Sequence, residues 1–231
     1  MTTAAFGDAD SSPPIYLLPG MTRDYPVFSR LAPLLPGAKV VSYLEPMSDE
    51  SIAAYARRMA QTLQPNSYIA GVSFGGIIAQ EISRVLAPRG CIAIATITHP
   101  TQLPPWFRAM RILGGSNCKR ALSIIGTLAA RTPKRFRNSS VMRLSRLAGP
   151  KGAWHRWAAA SVLDWAPSDT EFSTPLLHIH GDADTTFPIR YTTPDVSVRG
   201  GLHALPISHP SETATAILDF VTIAGDRSSK N

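Results

Sequence analysis

Short apolar runs alternate with amphipathic stretches along the first hundred residues of the chain. Each apolar run has the length of a buried strand. The runs are 15–18, 39–44, 68–72 and 91–97. The stretches at 51–63 and 77–86 carry apolar residues at helical spacing. Another helix is predicted from Pro26, because apolar residues follow it at that spacing: Phe28, Leu31, Leu34 and Leu35. Apolar strands joined by crossover helices indicate a parallel sheet that is covered on both sides.

The same alternation returns near the carboxyl end. Apolar runs at 175–180 and 195–198 predict two more strands. A final helix is predicted over about 210–223, with Ser208 or His209 as its cap.

The segment between these halves, about 99–165, has a different character. It is helical in propensity, contains all four tryptophans and is interrupted by pairs of residues that include proline or glycine. We interpret it as a helical cap inserted into a single domain, 1–231, whose core covers 14–98 and 166–223. The sequence therefore predicts an α/β fold: a reduced, mostly parallel sheet of about six strands with helices on both faces, and a helical cap.

The composition of the 231-residue chain, with 44% hydrophobic residues, is that of a globular protein. No apolar run approaches the ~18 residues that span a membrane. Residues 1–14 lack the basic start and apolar segment of a secretory signal. The two cysteines, Cys91 and Cys118, have no metal-binding or redox spacing. We therefore expect a cytoplasmic protein without a bound metal.

The stretch Gly71-Val72-Ser73-Phe74-Gly75 lies between a predicted strand and a predicted helix. A serine in so tight a turn takes a strained backbone conformation, which points its hydroxyl out of the sheet. Glycines flank Ser73 because a Cβ at either position would clash with the turn. The N–H of Phe74, at the start of the helix, would face an anion beside Ser73. Such a motif arises by chance in about one chain in ten of this length, so its significance depends on the strand before it, the helix after it and possible partner residues downstream.

Ser73 is inert at neutral pH unless a base takes its proton, and the base needs an acid to support it. Two candidate acids, Asp182 and Asp184, follow the predicted strand that ends at His180. A candidate base, His203, follows the next strand. Open α/β sheets place their sites at the carboxyl ends of parallel strands, so these side chains are expected to meet. Asp182 is the better candidate for bracing its loop by accepting backbone N–H bonds.

Four motifs in this order resemble those of α/β-hydrolase-fold serine hydrolases. Leu18-Pro19-Gly20-Met21 is similar to that family's oxyanion loop, and residues 71–75 are similar to its nucleophile elbow. Residues 180–188 are similar to its acid loop, and residues 201–203 to its histidine loop. The motifs cover both halves of the chain but not the predicted cap. Here the first strand is already the oxyanion strand, which is why the sheet is expected to be reduced.

The resemblance implies a role for five residues. Ser73 would be the nucleophile, Asp184 the acid and His203 the base. The backbone N–H groups of Met21 and Phe74 would bind the oxyanion. Neither a cofactor nor a metal is implied.

Two substrate-binding residues are proposed beside this set. Gly20 belongs to the oxyanion motif, and Trp106 follows two prolines at the start of the predicted cap. Relatives often carry a second glycine soon after the one at this place, whereas here Met21 follows, which leaves the shape of the acyl pocket open. His178 and His180 alternate along a strand, where they are either packed in the core or form a zinc pair, although no third ligand is spaced nearby.

The resemblance implies hydrolysis of a small-molecule ester or thioester through an acyl-enzyme. An acyl-thioesterase, an acyltransferase or a lyase would use the same residues, because a fold does not determine a reaction. A non-catalytic binding protein of this fold is the alternative outside enzymes. The intact set of candidate catalytic residues argues against it.

Charge is distributed unevenly along the chain, whose net charge is +7. Between Thr101 and Leu163 there are twelve Lys and Arg residues and neither Asp nor Glu, while the remainder carries a net charge of −5. A solvated basic surface is one interpretation. The other is a positive field that attracts an anionic substrate, an anionic carrier or a phospholipid surface. Nucleic acid fits the charge but is the poorest candidate for a cap over a hydrolase pocket.

Overall fold

The computed structural model of the chain describes residues 12–22, 26–114 and 153–228. The strands within these residues are β1 (Ile15–Leu18), β2 (Ala38–Val40), β3 (Tyr68–Val72), β4 (Gly90–Ile94), β5 (Leu176–Gly181) and β6 (Val196–Val198). They form a six-stranded sheet in the order β2-β1-β3-β4-β5-β6, and every neighbouring pair is parallel. The predicted α/β fold with a reduced parallel sheet is therefore confirmed.

The α-helices of the described residues are α1 (Ile52–Ala60), α2 (Phe74–Leu86), α3 (Pro105–Gly114), α4 (Ala153–Asp164), α5 (Leu205–Ser208) and α6 (Pro210–Ser228). Helix α1 begins where its sequence provides a cap, because Ser51 Oγ accepts the N–H of Ala54 at 3.2 Å. None of the helices in this described part is long and apolar enough to cross a membrane.

Helices cover both faces of the sheet. Along β1, the side chains of Tyr16 and Leu18 join one core with α1, α2 and α4, whereas Ile15 and Leu17 join a second core with α6. All four side chains are buried. A central strand that is apolar on both faces is typical of a parallel sheet between two helical layers.

The prediction of a helix that begins at Pro26 is wrong. Residues 27–31 form turns, and the short 3-10 helix Ala32–Leu34 follows them. Pro33 lacks an N–H, and its ring would clash with the carbonyl four residues earlier in an α-helix. The predicted apolar face is nevertheless used in part, because Phe28 is buried whereas Leu34 is exposed.

The middle of the predicted cap, 115–152, lies outside the described residues. Its flanks form α3 and α4, which contact each other. Twelve basic residues lie between Thr101 and Leu163. The structure describes the side chains of Arg108 and Arg156, and the other ten lie outside the described side chains. Arg108 donates hydrogen bonds to the carbonyls of Thr101 and Leu103 just before its own helix. The division into core and cap, and the basic face of the cap, stay predictions.

Candidate active site

Ser73 lies in the turn between β3 and α2 and has a strained backbone, with φ 56° and ψ −123°. A Cβ built on Gly71 would lie 2.1 Å from the carbonyl oxygen of Gly75. One built on Gly75 would lie 2.3 Å from the carbonyl oxygen of Leu18, at the end of β1. The flanking glycines thus permit the turn, as predicted, and Gly75 also lets the strand before the oxyanion motif approach the start of α2.

Ser73, His203 and Asp184 form a continuous hydrogen-bonded chain. The hydroxyl of Ser73 lies 2.9 Å from His203 Nε2, and His203 Nδ1 lies 2.8 Å from Asp184 Oδ2. A carboxylate only accepts, so Nδ1 carries the proton and Nε2 of the neutral ring accepts the serine O–H. Asp184 follows β5 and His203 follows β6, whereas Ser73 follows β3. The three residues named by the sequence therefore meet at the carboxyl ends of three strands.

The carboxylate of Asp184 is buried and surrounded by donors. Its Oδ1 accepts the N–H groups of Thr186 at 2.7 Å and Phe187 at 3.0 Å. Its Oδ2 faces His203 Nδ1 and, at 3.3 Å, His180 Nε2. Burial alone would raise the pKa of Asp184, but the hydrogen bonds from the two histidines outweigh it and hold that pKa below its ordinary value. Asp184 is consequently ionised at neutral pH.

Asp182, the other candidate for the acid, belongs to the same loop as Asp184 but makes a different contact. Its Oδ1 accepts the N–H of Gly200 at 2.6 Å. This bond ties the loop that carries Asp184 to the loop that carries His203. The bracing interaction anticipated for Asp182 is present, and the contact with the imidazole belongs to Asp184.

A buried pair of histidines lies behind Asp184. His180 Nε2 donates to the carbonyl of Phe187 at 2.7 Å, so its Nδ1 is free to accept. His178 Nε2 lies 3.1 Å both from that Nδ1 and from the carbonyl oxygen of Thr96. The two carbonyls determine the tautomers, because a carbonyl only accepts: His178 and His180 each carry their ring proton on Nε2. Burial first, and then the neighbouring His180, lower the pKa of His178 to about 4.

Sequence reasoning left the roles of this pair open and missed its contact with Asp184. The spacing of two residues along a strand places His178 and His180 on the same face, which was the available signal. Among the described residues, no group of three or more His, Cys, Asp or Glu side chains is arranged to hold a metal ion.

The oxyanion motif lies against Ser73. A Cβ built on Gly20 would be 3.6 Å from Ser73 Cβ, which is ordinary van der Waals contact. Phe74 follows Ser73 directly and is the first residue of α2, so its N–H belongs to the unsatisfied amino end of that helix. Met21 is half-buried and packs against Ala159 and Leu163 of α4.

Trp106, the predicted substrate contact, borders the loop that carries Asp182 and Asp184. Its ring is exposed and meets Tyr191 edge-on at 6.0 Å between centroids. Together with residues 182–185 and 188–190 it lines a cavity of about 380 Å³.

The next residue along α3, Phe107, packs on Phe187 with 5.5 Å between ring centroids, and the ring of Phe187 packs on that of His203 at 5.6 Å. Phe107 of α3 is thus linked to His203 through the ring of Phe187, a connection that the sequence analysis did not anticipate.

Solved structures of several enzymes are similar to this chain over most of its length. An esterase from Thermogutta terrifontis is 18% identical, with 93% of this chain and 91% of that chain covered and a TM-score of 0.57. A bromoperoxidase from Bacillus anthracis is 17% identical, with 92% of each chain covered and a TM-score of 0.57. Epoxide hydrolases of the α/β-hydrolase superfamily from metagenomes of hot environments are also similar, at 13% identity, 91% coverage of both chains and a TM-score of 0.58.

At these identities the likeness concerns the fold alone. Neither a protein-family model nor a curated protein matches the sequence. Any activity must therefore be argued from the side chains of the site.

Proposed function

We propose that this chain, which has the α/β-hydrolase fold, is a serine hydrolase that cleaves a carboxylic ester or thioester through an acyl-enzyme. The observation that carries the proposal is the hydrogen-bonded chain from Ser73 Oγ through His203 to Asp184, with 2.9 Å and 2.8 Å between the bonded atoms. Nucleophile, base and orienting acid in hydrogen-bond reach are the parts that acyl transfer requires.

In the first half of the reaction, Ser73 Oγ attacks the carbonyl carbon while His203 Nε2 takes the hydroxyl proton. The negative charge of Asp184 stabilises the imidazolium that forms. The carbonyl oxygen becomes an oxyanion and accepts hydrogen bonds from the N–H groups of Met21 and Phe74. When the tetrahedral intermediate collapses, the bond to the alcohol or thiol breaks, and His203 gives its proton to that leaving group.

In the second half, water takes the place of the leaving group. His203 removes one proton from the water as its oxygen attacks the acyl carbon, and the same two N–H groups bind the second oxyanion. The bond between the acyl carbon and Ser73 Oγ then breaks, and His203 returns the proton to Ser73. The products are a carboxylic acid and the free enzyme, so the chain's own residues balance the reaction without a cofactor.

The surroundings of the site support a substrate of modest size with an apolar part. Met21, Phe107 and Phe187 are apolar side chains that lie near or within the loops of the proposed oxyanion donor, the acid and the base. Gly20 leaves room beside Ser73, and Trp106 borders the cavity outside the acid loop. We assign Gly20 to the acyl side of the pocket and Trp106 to its outer rim.

An anionic substrate is part of the proposal and rests on the basic composition of residues 101–163. Attraction by exposed charges weakens as the Debye length shrinks from about 10 Å at 0.1 M salt to about 3 Å at 1 M. We expect kcat/KM for an anionic ester to fall over this range more steeply than for a neutral ester with the same acyl group. Equal salt dependence of the two esters would contradict the steering. A cytoplasmic location stays a prediction of the sequence.

A panel of p-nitrophenyl esters and acyl-CoA thioesters tests the proposed reaction. Wild-type protein should hydrolyse at least one ester or thioester, and Ser73→Ala should lower the rate by about 10⁴-fold or more, because the members of such a triad act as a unit. Analysis of the products separates hydrolysis from acyl transfer and from lyase chemistry. A Ser73→Ala protein that kept half of the wild-type rate would refute the proposal.

A further inference from the structure

Two aromatic side chains donate hydrogen bonds to the carbonyls of the oxyanion motif. The hydroxyl of Tyr43 donates to the carbonyl of Pro19 at 2.5 Å. The indole Nε1–H of Trp154 donates to the carbonyl of Met21 at 2.7 Å. These carbonyls belong to the two peptide units on either side of the Gly20–Met21 peptide, which carries the Met21 N–H. Both neighbours of that peptide are therefore held.

The two donors also hold each other. The rings of Tyr43 and Trp154 are stacked, with 4.8 Å between centroids and 30° between planes. Trp154 is 2% exposed. Burial, together with the neighbouring Tyr55, raises the pKa of Tyr43 well above its ordinary value, so Tyr43 keeps its proton and remains a donor. A carbonyl only accepts, so the direction of each bond is determined.

The two donors come from distant parts of the chain. Tyr43 lies shortly after β2, and Trp154 lies on α4, 133 residues along the chain from Met21. Breaking either bond would leave a largely buried donor without its acceptor, which destabilises the protein. The pair therefore forms a stable clamp on a loop whose central residue, Gly20, has no side chain to hold it in place.

We propose that Tyr43 and Trp154 are positioning residues that place the Met21 N–H for the developing oxyanion. This inference rests on the proposed function and assigns to it two residues that do not touch the reacting atoms. With both neighbouring peptides hydrogen-bonded, a shift of the Gly20–Met21 peptide away from Ser73 would strain or break at least one of the two bonds. A donor placed before the reaction stabilises the transition state without reorganisation.

A consequence follows for α4, which lies in the predicted cap. Trp154 belongs to α4 and donates to the carbonyl of Met21, so the position of the oxyanion motif depends on how this helix packs on the core. A change that undocks α4 should therefore lower the rate of acylation even where it leaves Ser73, His203 and Asp184 in contact.

The variants Trp154→Phe and Tyr43→Phe test the clamp, since each removes one donor and keeps an aromatic ring. The chain provides a matched control for each. Trp157, on the same helix, donates its Nε1–H to the carbonyl of Glu50 at 2.7 Å, and the hydroxyl of Tyr55 donates to the carbonyl of Leu44 at 2.8 Å. Trp157→Phe and Tyr55→Phe lose the same kind of bond to a carbonyl outside the oxyanion motif.

The measurements are kcat and KM for a p-nitrophenyl ester, the inhibition constant of phenylboronic acid, and the melting temperature. Phenylboronic acid forms a tetrahedral adduct on a nucleophilic serine and so reports the oxyanion donors. Because a displacement of 1 Å can cost about 10²-fold, we expect kcat to fall between about tenfold and a hundredfold in both test variants. The boronate affinity should fall by the same factor while KM stays within about twofold, because the lost interaction exists only in the transition state.

The possible outcomes distinguish a failure of the clamp from a failure of the proposed function. Equal losses of kcat in Trp154→Phe and Trp157→Phe, or an unchanged boronate affinity in both test variants, would overturn the clamp and leave the proposed function standing. A Trp154→Phe protein that melts below the assay temperature leaves Tyr43→Phe to decide in the same way. A wild-type protein that hydrolyses none of the esters would instead contradict the proposed function, and with it the clamp as a catalytic device.

Discussion

His180 Nε2 lies 3.3 Å from Asp184 Oδ2, the same oxygen that accepts the hydrogen bond of His203. The carboxylate is therefore shared between an imidazole that contacts Ser73 and a second imidazole that is completely buried. This second contact, together with the backbone N–H groups on Oδ1, holds the carboxylate in one orientation.

The contact between His180 and Asp184 predicts a difference between two substitutions. His180→Leu removes the donor, which raises the pKa of Asp184 and frees its carboxylate to turn. We expect kcat/KM to fall by about tenfold or more, as for a misplaced catalytic group. His180→Gln places an amide N–H near the same position and should restore much of this loss. Equal losses of kcat/KM in the two variants would reduce His180 to a packing residue.

His178 predicts how stability depends on pH. Its pKa is about 4 in the folded protein, because burial and His180 oppose its charge, and it is about 6.5 in an unfolded chain. The unfolded state therefore binds more protons between these values, so the free energy of unfolding falls as the pH falls from about 6.5 to about 4. The depressed pKa of Asp184 acts at lower pH, since the stability it contributes is lost only below its unfolded value of about 3.9.

Urea unfolding at pH 7 and pH 4 measures this effect of His178. A difference of about 2.5 pH units corresponds to a loss of about 3 kcal/mol in wild-type protein. His178→Gln should flatten the profile across this window, and His209→Gln, outside the buried pair, serves as the control. A His178→Gln protein with the wild-type pH dependence would show that another group is responsible.

The backbone of Ser73 predicts that the proposed nucleophile carries a cost in stability. Its φ of 56° and ψ of −123° lie where a side chain is strained but glycine is not. Ser73→Gly should therefore unfold with about 1 kcal/mol more free energy than Ser73→Ala, with both variants inactive. Denaturant titration of the two proteins compares them directly. Equal stabilities would mean that the turn is not strained in solution.

The two aspartates of the acid loop predict opposite phenotypes. Asp184→Asn should lower kcat by about 10⁴-fold, because a neutral amide neither holds the required tautomer of His203 nor stabilises the imidazolium. Asp182→Ala removes the acceptor of the Gly200 N–H and should cost about 1 kcal/mol of stability with a much smaller effect on kcat. Kinetics and melting curves of both proteins check this, and the reverse pattern would exchange their roles.

The sequence predicted the parts of this molecule that depend on local pattern. The strands follow from short apolar runs, and the turn at Ser73 follows from the close approach that only Gly71 and Gly75 permit. The order of Ser73, Asp184 and His203 along the chain, read with the carboxyl ends of the strands, anticipated that they would meet.

The misses depend on distant contacts or on one overriding residue. The clamp by Trp154 joins positions 133 residues apart, and no spacing along the chain indicates it. The contact of His180 with Asp184 requires the loop to return so that the carbonyl of Phe187 meets the imidazole. The helix predicted from Pro26 failed because Pro33 outweighs the apolar spacing around it.

The most direct test of the central claim is the identity of the residue that a fluorophosphonate probe modifies. Wild-type protein is treated with the probe, digested and analysed by peptide mass spectrometry, with Ser73→Ala and His203→Ala treated in parallel. Because only a serine activated by a base reacts readily, we expect one adduct, on the peptide that contains Ser73. The adduct should be lost in Ser73→Ala and form much more slowly in His203→Ala. An unmodified wild-type protein, or an adduct on another residue that persists in Ser73→Ala, would contradict the assignment of Ser73 as the nucleophile.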